Sequence, residues 1–408
     1  MTITFRHWNS NAGIDGTWQK FNESQDEIEV VFAHTSFGQY IDKTLVDMAT
    51  GEGPDIFSLQ DWPYAEMSID AWAKNGQLLD LTPYWERDKD ELEGSRWHPF
   101  LIEFATRGGM LVGMPYGWNI GEVLNYNADR FLEMGVAFPD DTWTWTDVAE
   151  TARKMTRLDA QGSPEVIGLE STFTFEYWFD VENRVRAGGG SLFNEDQTRS
   201  ALRSPASRRV LELMADLANN VAYRASSAWG AGNVAMRTAG IGRAIADKEL
   251  YNIAFTSGMA PGPRDPVTNE RYSAVGVLLF GVNPNTKHPE AVWEALKFFV
   301  KNYGEQALRA AGYIQFVPVI PSEQSLFFSQ PPETVGDLIA TQMEPVVLTL
   351  MQTAHVPEKA INPIVGERSA DIGNVLNNEW IRVVRGELPL YDFIENVSDR
   401  IDAILQGL

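Results

Sequence analysis

Three short apolar stretches near the N-terminus each run into polar or indole side chains. Trp8, Asn9 and Ser10 close or follow TITFRHW, Thr35 and Ser36 follow EVVFAH, and Gln60, Asp61 and Trp62 follow PDIFSL. Indole rings offer flat apolar faces, while amides, hydroxyls and carboxylates supply paired donors and acceptors. A pyranose presents the complementary surfaces, C–H faces ringed by hydroxyls, so these residues suit the capture of a neutral polyol. Trp118, Asn119, Glu176, Tyr177, Trp178, Trp229, Arg243 and Tyr313 extend the candidate set. Each has a structural alternative. A tryptophan is a large burial asset, Asp61 before a helix is equally an N-cap, and Arg243 equally a salt-bridge partner. Trp145 and Trp293 fall on helical patterns and are assigned to packing.

Bond-breaking chemistry finds less support. A glycosidase needs two carboxylates roughly 5–10 Å apart. The adjacent pair Asp140 and Asp141, and the group Asp88, Asp90 and Glu91, sit in polar stretches that read as solvated helix starts or loops. The five histidines show no HExxH spacing. His7 and His34 are expected to approach at adjacent strand ends as core residues. There is no Walker A loop and no G-x-S-x-G elbow, and AGIGRAIA lacks the third glycine of a dinucleotide loop. With no cysteine, thiol catalysis and disulfides are excluded.

The elements that must position these residues follow from periodicity. Residues 3–5, 29–34 and 54–59 read as buried strands separated by helices over 16–25 and Tyr40–Thr50, with Gly51 as a stop. Strands and helices alternating at this length imply parallel βαβ units. A further helix is expected over Tyr64–Lys74, a loop around Pro83, and a chain crossing at 117–122 within GMPYGWNIGEVLNYN. Thr144 and Asp147 form a capping box, and Ser204-Pro205 opens another helix. GGG at 188–190 reads as a turn before a strand. SAVGVLLFGV, 273–282, reads as a strand buried on both faces, returning the chain to its first lobe. A helix follows Pro289, and VPVIP at 317–321 marks a third crossing before a helical C-terminal region.

At 408 residues the chain exceeds what one core usually serves, so two lobes are expected. Hydrophobic residues at 44% and charged ones at 22% describe a globular chain. Its 33 basic and 56 acidic residues give a net charge of −23, which excludes nucleic acid as a partner and disfavours anionic lipid. No apolar run approaches the roughly 20 residues needed to span a bilayer, and a secretion leader is expected to be absent from this chain.

The order and spacing of several segments resemble the family 1 extracellular solute-binding proteins, the group that includes maltose-binding protein. The matching strings are TITFRHW, YIDKTLVDMATGEGPDIFSL, MPYGWNIGEVLNYNADRF, TWTWTDVAETARKM, AGGGSLFNEDQTRSALRSPASRRVLELMADL, GNVAMRTAG, MAPGP and GVNPNTKHPEAVWEALKFFVKN. None is specific alone; their joint order is. The resemblance implies an α/β, two-lobed periplasmic-binding-protein-like (type II) fold with mixed sheets flanked by helices and a hinge of two or three crossing segments. The lobes are expected at 1–118 plus 277–320 and at 119–276 plus 321–408, with the ligand between them. Where this family commonly has an aromatic residue after a GNVAM-like string, this chain has GIGR, so Arg243 implies a hydrogen-bonding contact in place of a stacking one. The implied function is that of the sugar-binding, non-enzymatic component of an ABC importer. It would be extracytoplasmic, periplasmic or lipid-anchored, and monomeric, without cofactor or metal, and would work with membrane permease subunits. Same-fold binding of a polyamine, peptide, metal chelate or glycerophosphodiester is the alternative, and a glycosidase a more distant one.

Overall fold

The computed structural model describes residues 1–8, 11–59, 69–171, 173, 178–223, 228–357 and 363–407. The strands are β1 Thr2–Trp8, β2 Glu29–Thr35, β3 Ile56–Leu59, β4 Thr106–Arg107, β5 Met110–Leu111, β6 Met114–Ile120, β7 Val123–Asn127, β8 Arg157–Leu158, β9 Pro164–Glu170, β10 Ala222–Tyr223, β11 Val234–Ala239, β12 Ser257–Pro261, β13 Ser273–Val282, β14 Val317–Pro318 and β15 Ala354–His355. The helices through the first 330 residues are α1 Ala12–Ser24, α2 Phe37–Thr50, α3 Ile69–Lys74, α4 Thr82–Asp88, α5 Pro99–Ala105, α6 Ala128–Met134, α7 Trp145–Met155, α8 Trp178–Ala187, α9 Pro205–Asn220, α10 Ile241–Tyr251, α11 Pro289–Ala311 and α12 Pro321–Phe328.

Two compact units share these elements. The first is Met1–Asn119, Gly276–Gln330 and Glu358–Ser369; the second is Ile120–Val275, Pro331–Pro357 and Ala370–Leu408. The chain therefore changes unit at 119/120, 275/276, 330/331, 357/358 and 369/370. Sequence reading puts the third crossing at 317–321, whereas in the structure α12 stays with the first unit. Gln330 accepts the Ile314 amide at 2.6 Å and donates back to the Ile314 carbonyl at 3.1 Å, which pins the segment after α12 beside the end of α11.

In the first unit the sheet order is β14-β6-β13-β3-β1-β2. Strands β2, β1 and β3 are parallel, while β13 runs antiparallel to β3 and β14 antiparallel to β6, giving a mixed sheet. Helix α1 starts at Asn11, whose side chain accepts the Ile14 amide, and buries Ile14, Trp18 and Phe21 on one stripe. It lies so close to α11 that a Cβ on Gly16 would sit 2.7 Å from the Ala310 Cβ. Trp18, Phe5, Phe280 and Phe299 form an aromatic core between the helices and the sheet. Gly51 ends α2 with φ of 80°, as the sequence indicates.

In the second unit the order is β10-β9-β11-β7-β12, with β10, β9 and β11 parallel and β7 antiparallel to both its neighbours. The capping box of Thr144 and Asp147 is present at the start of α7, and Ser204 caps α9 by accepting the Ser207 amide. Trp145 is buried in the core with Phe131, Val148 and Leu217, as the helical pattern predicts. In the first unit Trp293 is also buried, its indole N–H donating to Asp88 at 2.8 Å.

Two local expectations are corrected. Pro83 does not mark a loop but occupies the first turn of α4, where its missing N–H has no carbonyl to serve. The segment after GGG is no strand but forms a single bridge, Phe193 to Ser200, because Asn194 closes a turn by accepting the amides of Thr198 and Arg199. The expected helix over Tyr64–Lys74 is seen from Ile69 onward; its first residues lie outside those described.

Candidate functional site

The parallel register of β1 and β2 sets Trp8 opposite Thr35 and His7 opposite His34, so both strands deliver their last residues to one edge. Ligands of open α/β sheets bind beyond the carboxyl ends of the strands. Trp8 is partly exposed there, its ring 4.2 Å from that of His7 and edge-on to Tyr40 at 5.3 Å. Tyr40 is buried, and its hydroxyl donates to the Ser58 carbonyl at 2.7 Å, so β3 braces the indole from behind. Burial pushes the His7 imidazole down to about 4, against the hydrogen bond to the Trp8 carbonyl, so it is neutral at pH 7. His34 faces Asp15 at 3.3 Å, and the exposed Ser36 hydroxyl donates to Gln39 at the start of α2.

The other first-unit candidates stand apart from this group. Trp118 and Asn119 lie in the last three residues of β6, which β13 and β3 separate from β1, a spacing of about 14 Å at 4.8 Å per strand. Trp118 is only 4% exposed, packs edge-on against Phe100, and its indole N–H has no hydrogen-bond partner. Tyr313 is partly buried, directly after Gly312, the left-handed cap of α11. Asn9, Ser10, Gln60, Asp61, Trp62, Glu176 and Tyr177 lie outside the described residues, as does the side chain of Trp178.

In the second unit the parallel strands β9, β10 and β11 end at Glu170, Tyr223 and Ala239, with Glu170 in register with both Tyr223 and Arg237. Ser171 and Thr238 share a hydroxyl contact of 3.1 Å at this edge. Glu170 is partly buried, one of its carboxyl oxygens has no partner, and burial pushes its carboxyl up while Arg237 and Arg243 oppose that shift. Arg243 is exposed in the first turn of α10, within electrostatic range of Glu170 and Asp247.

Trp229 does not present a face as its loop position suggests. It is 1% exposed, packed with Ile167 and Val234; its indole N–H donates to Asp247 at 3.0 Å and the Arg237 guanidinium lies 4.4 Å over its ring. Arg237 in turn donates to Asp247, itself 1% exposed. Both polar groups of this triad are thus engaged with each other. Glu170, Ser171 and Thr238 escape sequence reasoning because the carboxyl-end rule needs the strand pairing, which periodicity reveals only for the first three strands. The signal is nonetheless present: PEVIGLES carries four apolar or glycine residues and then Glu-Ser, a strand with polar groups at its end.

Two α/β units are exchanged repeatedly by one chain, each ending its parallel strands in aromatic and hydroxyl side chains and the second also in a carboxylate, an arrangement suited to holding a solute. The chain belongs to the bacterial extracellular solute-binding protein family, whose model matches residues 17–335. Its fold is that of the ABC substrate-binding protein Lmo0181 from Listeria monocytogenes, solved with cycloalternan. The two superpose with a TM-score of 0.82 at 21% identity, over 100% of this chain and 99% of the other. The cyclic alpha-maltosyl-1,6-maltose binding protein from Arthrobacter globiformis gives a TM-score of 0.75 at 18% identity, covering 100% of both chains. In sequence, the chain is 23% identical over 279 residues to the sn-glycerol-3-phosphate-binding periplasmic protein UgpB of Brucella abortus, a match over 63% of this chain. The match spans 61% of that relative's length. Among the described residues no helix is long and apolar enough to cross a membrane.

Proposed function

We propose that this chain is the substrate-binding component of an ABC importer and captures a neutral sugar or short oligosaccharide, its two lobes closing on the ligand. The carrying observation is how charge is arranged at the two carboxyl edges. Glu170 holds a buried, unpartnered carboxyl oxygen at its strand end and Asp247 neutralises Arg237, while Trp8 supplies a braced, partly exposed indole. A phosphate dianion needs cations in excess of carboxylates, and this edge, where Glu170 and Asp247 stand against Arg237 and Arg243 in a chain of net charge −23, supplies no such excess. A neutral polyol needs paired donors and acceptors with an apolar face, which this arrangement provides. Structural relatives described with cycloalternan, alpha-D-tagatose and maltotriose support the same reading. The likeness to a glycerol-3-phosphate-binding protein supports the alternative.

The chain is not an enzyme in this reading. Glu170 has the raised carboxyl of a general acid, but Asp247 nearby is wholly buried and paired, leaving it unable to reach a glycosidic carbon. Ligand contacts from both lobes favour the closed state, which a membrane permease recognises. The protein works outside the cytoplasm as a monomer, free in a periplasm or tethered by lipid, without cofactor or metal.

A thermal-shift panel of maltotriose, mannobiose, alpha-D-tagatose and cycloalternan against sn-glycerol 3-phosphate and spermidine tests the ligand class. A sugar at 100 times its dissociation constant is expected to add about 2.7 kcal/mol of stability; a response to glycerol 3-phosphate or spermidine alone overturns the reading. Trp8→Ala is expected to remove about 1.5–3 kcal/mol of apolar contact, roughly a 10- to 150-fold loss of sugar affinity by calorimetry. Trp8→Phe is expected to keep most of it, and an unchanged affinity in Trp8→Ala would remove Trp8 from the site.

A further inference from the structure

Helix α8 is buried on every side through its middle, with Val181, Glu182, Asn183, Arg184 and Val185 all nearly inaccessible. Consecutive helical residues point about 100° apart, so the polar run Glu182, Asn183, Arg184 addresses three different neighbours. Arg184 donates to both carboxyl oxygens of Glu122, its guanidinium lying 4.9 Å from the Trp145 ring and 4.6 Å from the Phe173 ring. Asn183 accepts the Ala274 amide at 2.7 Å. Glu182 accepts from Arg186 at 3.1 Å and stands 3.3 Å from His355 Nε2.

Those three targets share a property the helix itself does not explain: each belongs to a segment where the chain passes from one unit to the other. Glu122 follows the passage at 119/120, Ala274 precedes that at 275/276, and His355 precedes that at 357/358. The segments are also tied to one another inside the second unit. The Gly121 amide donates to the Ala274 carbonyl at 2.8 Å, and Ser273 and Ala274 pair in parallel with Ala354 and His355. Gly121 has φ of 54°, a left-handed turn that places its amide for this bond. Ala274 thus has its carbonyl held by backbone and its N–H held by one side chain. Removing the Asn183 oxygen strands a buried amide at the knot.

We propose that α8 is the anchor of the hinge: Glu182, Asn183 and Arg184 hold three of the five passing segments in fixed relation, and so set the balance between open and closed states. This rests on the closure reading above. They act as positioning residues, at a remove from the ligand. Because the three lie on successive faces of one rigid turn, the passing segments pivot together, which is what makes closure a two-state event.

The test uses the absence of cysteine from the chain. Val46→Cys in the first unit and Leu132→Cys in the second, both at exposed positions, carry a dye pair for single-molecule energy transfer. In this background Asn183→Leu is expected to broaden the distance distribution of the unliganded protein. It is also expected to raise exchange at the Ala274 amide at least tenfold and to shift the midpoint for the panel sugar of largest thermal shift at least threefold. Arg184→Lys, which loses the fork but keeps the charge, gives the same reading if Asn183→Leu does not fold. Unliganded distributions that superimpose on the parent overturn the anchor. A parent whose distance never responds to any panel sugar overturns closure instead, and the unliganded comparison still decides on α8.

Discussion

Asp247→Leu is expected to destabilise the second unit by about 3–5 kcal/mol, because it leaves the Arg237 guanidinium buried without a counter-charge. Asp247 accepts from the Trp229 indole and from Arg237, and all three residues are at most 7% exposed. Burial alone pushes the Asp247 carboxyl up, and the adjacent guanidinium of Arg237 resists that shift, so each charge is tolerated only through the other. The double substitution Asp247→Leu with Arg237→Met is therefore expected to recover most of the loss, since a well-packed apolar pair of similar volume commonly equals or exceeds a buried ion pair. Urea unfolding of the parent, both single variants and the double variant measures the coupling directly. A single-variant loss below about 1 kcal/mol would show that water reaches the triad. The same series separates structure from binding. If Trp229 is core, the double variant regains sugar affinity along with stability.

The second large effect is a dependence of stability on pH that originates in the first unit. Burial pushes the Glu323 carboxyl up to about 7, although the Gly304 amide donates to it at 3.1 Å and the Glu305 amide also bonds it. The folded protein therefore holds this proton to a higher pH than the unfolded chain does. The stabilisation is complete below the unfolded carboxyl value of roughly 4.3 and is lost as pH rises through about 7. Glu323→Gln, which keeps an oxygen for the Gly304 amide and cannot ionise, is expected to match the parent near pH 4.5 and to exceed it by about 2–3 kcal/mol at pH 8. Unfolding at the two pH values tests this, and parallel stability curves for parent and variant would place the carboxyl in solvent. The consequence reaches beyond one helix, because Glu323 at the start of α12 accepts from the Gly304 amide of α11.

Much of the local structure could be read from neighbouring residues. The box of Thr144 with Asp147, the Ser204-Pro205 helix start, the Gly51 stop and the ten-residue apolar run of β13 all appear where expected, because capping and periodicity join residues no more than about four apart. Pro83 departs from the loop its sequence context suggests because proline serves loops and first helical turns equally, and only the carbonyl it faces distinguishes them. At the candidate site the same boundary holds. Trp8, Thr35 and Ser36 are legible because parallel strands carry their last residues to one edge. Glu170 and Thr238 belong to strands whose neighbours are 67 residues away in the chain, as the Ser171 to Thr238 contact shows.

The amino-acid order by itself determined several helix starts and stops, the strong net negative charge, and the alternation that makes the first sheet partly parallel. Tertiary structure alone decided what individual side chains do. Trp8 and Trp229 are the same residue type, one closing a strand and one in a turn, yet the first stays partly open over Tyr40 while Asp247 and Arg237 draw the other inside. Secondary structure is encoded within a turn or two of chain, whereas the burial of a large ring depends on which distant groups arrive to satisfy its polar atom and cover its faces.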